Sequence, residues 1–129
     1  MSLLEKLRAL FSRDEIPDEA KKIFDRAETP SEQLRGLDQL LTRNEIEFQE
    51  LDREVTKLET LEKDETAKIR EGGIEGRQKR NALLRIQRMR KQMDSYENRL
   101  RIDDRNMKRH RDLIGKIQEM EAMKLRGGD

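Results

Sequence analysis

Two heptad arrays flank Gly72-Gly73, and they match each other layer for layer. The first runs Leu34, Leu37, Leu41, Asn44, Phe48, Leu51, Val55, Leu58. The second runs Ile86, Met89, Met93, Tyr96, Leu100, Asp103, Met107, His110, Ile114. Steps alternating between three and four are the seam of a coiled coil, because they keep one stripe of each helix facing its partner. Folding the chain back at the glycines sets Leu58 against Met89, Val55 against Met93, Leu51 against Tyr96 and Phe48 against Leu100. It sets Leu41 against Met107, Leu37 against His110 and Leu34 against Ile114. Asn44, the one polar seam position of the first array, then falls opposite Asp103, also polar. The fold this predicts is all-α: a long antiparallel helical hairpin. The same layers would also form between two chains if the glycine break were straightened into one helix of a swapped dimer.

Only 33% of the 129 residues are apolar and 44% are charged. A thick globular core needs more apolar residues than that, but a two-helix seam needs only about two per heptad. There is no cysteine, so neither a disulfide framework nor a thiolate metal site is expected. The single histidine, His110, cannot make a normal zinc site by itself. Its seam position reads as a packed side chain, with a pH switch as the sharper alternative. A hairpin offers no water-excluding concavity in which carboxylates could do acid–base or nucleophilic work. No enzyme activity, small-molecule substrate, cofactor or metal is therefore expected.

The chain organises into three parts. Residues 1–13 hold an amphipathic helix, with Ser2 as its cap and Glu5 completing a capping box. Leu3, Leu4, Leu7, Leu10 and Phe11 form one apolar face; Lys6, Arg8 and Arg13 lie off it. That is the pattern of a helix lying in a membrane surface, or of a face that docks on the hairpin or on a second copy. Residues 14–29 connect, with a short helix in which Pro17 fits the first position and Ala20, Ile23, Phe24 and Ala27 line one side. Residues 30–129 form the hairpin. Thr29-Pro30-Ser31-Glu32 starts it with a capping threonine, a first-position proline and a glutamate for the box. Its turn falls near 72–76. Gly36 and Gly115 read as mild interruptions within its helices.

Net charge is +1, so bulk charge implies no partner, but the charges are unevenly placed. From Asn44 to Glu65 nine acids stand against three bases. From Arg77 to Lys91 there are seven bases (Arg77, Lys79, Arg80, Arg85, Arg88, Arg90, Lys91) and no acid. These bases suit assembly contacts with an acidic stretch, in the same hairpin or a neighbouring copy, or contacts with anionic headgroups. Nucleic acid is disfavoured, since no aromatic residues interleave to stack bases. Asn44 and Asp103 suit a polar layer that sets the register. No run reaches the roughly 20 apolar residues of a membrane span, and no secretory signal is evident. A cytoplasmic location is expected.

Lys22-Ile23-Phe24-Asp25-Arg26-Ala27-Glu28-Thr29-Pro30 resembles the segment by which the phage-shock protein A (PspA) family leads into its hairpin. Gly76-Arg77-Gln78-Lys79-Arg80-Asn81-Ala82-Leu83-Leu84 resembles the basic, alanine-containing start of that family's return helix. Leu3–Phe11 occupies the place of its membrane-inserting helix. Through this branch the chain is similar to the ESCRT-III membrane-remodelling superfamily. The resemblance implies a homo-oligomer or filament, peripheral on the inner face of an anionic membrane, with residues 2–13 inserted and basic patches on headgroups. The family continues past its hairpin with helices that clamp neighbours. The sequence in hand stops at Asp129, so the expectation is either that polymer formation is absent or that it falls to end-to-end and side-by-side contacts between hairpins. Two other readings stand beside this one: a soluble coiled-coil adaptor or chaperone docking a protein through its N-terminal face, and a helical nucleic-acid binder using residues 77–91.

Overall fold

The computed structural model describes residues 18–127 and is all-helical over that span. Helix α1 spans Asp18–Arg26, α2 spans Pro30–Arg70 and α3 spans Arg77–Gly127. The first of the two expected short helices, within residues 1–13, lies outside the described residues. The second is α1, with Asp18 and Glu19 in its positive first turn. The chain divides into two compact units. One holds the described residues up to Ile46 together with those from Asp103 onward; the other is Glu47–Ile102.

The start of α2 is capped by side chains. Thr29 Oγ1 accepts the backbone N–H of Glu32 at 3.2 Å, satisfying one of the first-turn donors that no helical carbonyl can reach. The Glu32 carboxylate accepts from the N–H of Glu28 at 2.9 Å, one residue before the cap itself. At the other end, the Glu71 N–H donates to Ala67 O at 2.9 Å and the Gly72 N–H to Ile69 O at 3.3 Å, which tightens the last turn. Gly72 and Gly76 then take φ of 72° and 60°. In that left-handed region a Cβ would crowd the backbone, so glycine ends α2 and glycine precedes α3.

In the unit of residues 47–102, α2 and α3 pack as the two arms of a hairpin. Val55, Leu58, Ala82, Ile86 and Met93 are buried. Phe48, Leu51, Met89, Tyr96 and Leu100 are half-buried, as flanking seam positions are when only two helices share a core. Ala82 extends the seam one step before the expected first layer at Ile86.

The other unit has three helices. Ala20 and Phe24 of α1, Leu37 of α2, and Leu113 and Ile117 of α3 form one buried cluster, with Leu34, Ile114 and Met120 packed against it. Helix α1 reaches α2 at Gly36, where an added Cβ would stand 2.8 Å from Ile23 Cγ2. Gly36 is thus the close-approach point of two helices, and its cost to helix propensity is offset by that contact.

One contact in this unit differs from the expected layers. Asn44 Nδ2 lies 3.2 Å from His110 Nδ1, a buried hydrogen bond, whereas the seam pattern set Asn44 against Asp103 and Leu37 against His110. His110 lies seven residues along α3 from Asp103. The reason is physical: apolar spacing places a polar residue on the seam but does not select which polar residue across the seam it bonds. Helix α1 packs on both long helices here. It covers α2 and α3 so that Gln33, Leu37, Leu40 and Asn44 are buried on one helix, and Leu113 and Ile117 on the other. Leu34, Leu41 and Ile114, expected in the seam, are only half-buried.

Candidate functional site

The sequence-derived site residues fall into three groups. The first, Leu3, Leu4, Lys6, Leu7, Arg8, Leu10, Phe11 and Arg13, lies outside the described residues. Among the described residues, no helix is long and apolar enough to cross a membrane.

The second group is the basic start of α3. Its seven cations do not behave alike. Arg85 donates from Nε and Nη2 to the two carboxylate oxygens of Glu65, at 3.3 and 3.2 Å. This fork matches the planar guanidinium to the carboxylate, and the hydrogen bond from Arg85 holds the Glu65 carboxyl below its ordinary range against the opposing effect of desolvation. Arg90 Nε donates to Glu62 at 2.6 Å. Further along, Arg99 pairs with Glu47. These pairs join α2 to α3 within one chain. Part of the acidic stretch is therefore satisfied by part of the basic stretch without a second copy. Exposed pairs add little stability singly, but they select this arm-to-arm register over its neighbours. Arg77, Lys79, Arg80, Arg88 and Lys91 are exposed and make no ion pair among the described residues.

The third group is the polar layer. Asn44 and Asp103 are both buried, at 7% and 0% exposure. Asn44 hydrogen-bonds His110, itself 1% exposed. Because Asn44 Nδ2 donates, His110 Nδ1 accepts, which places the proton of a neutral ring on Nε2. Nε2 is buried and has no hydrogen-bond partner among the described residues. Burial pushes the imidazole below its ordinary value, and Glu19 of α1 opposes this by its negative charge. Sequence reading found His110 on the seam but not its partner, since apolar spacing alone does not select which polar residue meets it. It missed Gln33, Leu113 and Ile117, whose burial depends on where α1 docks. The signal available was the second apolar position beside each seam residue: Leu113 next to Ile114, and Leu40 next to Leu41.

Comparison of the chain with protein-family models, with curated proteins and with solved structures found no match.

Proposed function

We propose that this protein is a non-enzymatic, membrane-associated coiled coil that assembles with copies of itself on anionic bilayers, in the manner of the PspA and ESCRT-III proteins it resembles. The observation that carries the reading is the sequence of residues 2–13. Five large apolar residues at helical spacing, with Lys6, Arg8 and Arg13 off that face, suit burial at the headgroup–acyl boundary with phosphates held by the cations. A helix of this length is marginal alone in water and gains its stability from the surface on which it lies. It leads through Pro17 into α1, and α1 supplies Ala20 and Phe24 to a buried three-helix cluster. The described body into which that segment leads is therefore a packed one. The exposed cations of α3 and the exposed acids of α2 give neighbouring hairpins complementary stripes, and lateral contact would combine many weak insertions into avid binding. The site of action is the cytoplasmic face of a membrane.

The test is co-sedimentation of the full chain with vesicles of phosphatidylcholine and phosphatidylglycerol. The variant Leu7→Asp/Leu10→Asp should lose most of the binding while its helix content, read by circular dichroism, stays that of the unmodified protein. Undiminished binding by the variant refutes insertion through residues 2–13.

A further inference from the structure

Charge in the unit of residues 47–102 is segregated along its length. Between Lys63 and Lys91, the end that carries the turn, ten bases stand against four acids. In the remainder, residues 47–62 and 92–102, eight acids stand against four bases. A stable seam does not require this, because pairs across two arms are served equally well by alternating signs.

The cations left over at the turn end share one face. Arg77, Arg80, Leu84, Arg88 and Lys91 follow steps of three, four, four and three. That spacing puts them on the side of α3 away from Ala82, Ile86 and Met93, which are buried in the seam. All five are exposed. Leu84 in the middle of the stripe is 44% exposed, and its neighbour Leu83 is 47% exposed. Two leucines held in water among unpaired cations combine the two attractions that bring a helix onto an anionic bilayer: apolar burial at the headgroup boundary and charge on the phosphates. A nucleic-acid surface would use the cations but has no need of the leucines, and no aromatic residue lies among residues 77–91 to stack a base.

We infer that this face of α3 is a second bilayer contact, with Arg77, Arg80, Arg88 and Lys91 on the phosphates of anionic headgroups and Leu83 and Leu84 at the acyl boundary. It shares with the proposed function the premise that the chain works at an anionic bilayer, but it rests on residues separate from 2–13.

Two full-length variants test it: Arg80→Gln/Arg88→Gln/Lys91→Gln, and Leu83→Ser/Leu84→Ser. Both leave the seam and the Glu62–Arg90 and Glu65–Arg85 pairs intact, and circular dichroism checks that helix content is unchanged. Binding is titrated against vesicles of phosphatidylcholine and phosphatidylglycerol in equal parts. Removing three cations should weaken binding at least about tenfold, since each contributes severalfold near such a surface. Removing the two leucines should weaken it further than salt alone can explain. Wild-type affinity in either variant overturns the inference. So does tighter binding of the unmodified protein to mixed-sequence duplex DNA than to the vesicles, lost in the cation variant. The Leu7→Asp/Leu10→Asp protein separates the two ideas. If it binds normally while the α3 variants fail, insertion through residues 2–13 is wrong and the α3 contact stands. The converse removes the α3 contact alone.

Discussion

Gly36 and Gly115 are both interior helix glycines in the same three-helix unit, and the same substitution should move them in opposite directions. Replacing a helix-interior glycine by alanine stabilises by about 1 kcal/mol, because the unfolded chain loses freedom it would otherwise regain. At Gly115 nothing lies within 4 Å of the added Cβ, so Gly115→Ala should realise that gain. At Gly36 the added Cβ would meet Ile23 Cγ2 at 2.8 Å and Ile23 Cγ1 and Cδ1 at 3.2 Å. Cγ2 is fixed to a branched Cβ and cannot swing away as the end of a long side chain would. Helix α1 must therefore shift, at an overpacking cost of about 1–3 kcal/mol, which outweighs the propensity gain. Gly36→Ala should lower stability by about 1 kcal/mol, leaving the two variants about 2 kcal/mol apart. Urea unfolding followed by far-ultraviolet circular dichroism gives the difference. Hydrogen exchange at Ala20–Phe24 locates it, because those amides should lose protection in Gly36→Ala only. In an Ile23→Ala background Gly36→Ala should become stabilising. Equal stabilisation by Gly36→Ala and Gly115→Ala would refute the packing of α1 on α2 at this point.

Four further outcomes follow from the same structure. Asn44→Leu should cost about 1–3 kcal/mol in urea unfolding, because it strands a buried ring nitrogen, and Asn44→Leu/His110→Leu should recover much of that loss. The folded state holds His110 below the unfolded imidazole value of 6.5, so the unfolded chain binds the proton first; stability is full above that value and falls as pH drops through it, a dependence the double variant should lack. Gly72→Ala and Gly76→Ala, at φ of 72° and 60°, should each destabilise by about 1 kcal/mol, while Gly73→Ala, with no such φ and open space around it, should be neutral or stabilising. Arg85→Ala should raise the Glu65 carboxyl toward its ordinary value, read by carbon-detected titration.

The hairpin was legible because each of its signals is local. Three-and-four spacing, Thr29-Pro30 at the start of α2 and paired glycines at its end each act within a few residues. What the sequence hid is contingent on non-local contact. The hydrogen bond of Asn44 to His110 is a tertiary contact, and apolar spacing alone does not select the partner of Asn44. The burial of Leu113 and Ile117 in place of Ile114 follows from α1 lying across both long helices. Gly36 carried no mark that told it from Gly115, since a close approach is a property of the neighbour, Ile23. Among the cations of residues 77–91, charge counting found the patch, but only the folded structure divides it. Arg85 and Arg90 brace α2, and the rest face solvent.

Membrane association is tested most directly by sedimenting the unmodified full chain with anionic vesicles and, in parallel, with neutral phosphatidylcholine vesicles, at low and high salt. A protein that inserts apolar side chains and holds phosphates should pellet with the anionic vesicles, weaken but persist at high salt, and stay in solution with the neutral ones. Protein left in the supernatant with anionic vesicles at low salt would contradict the proposed function outright.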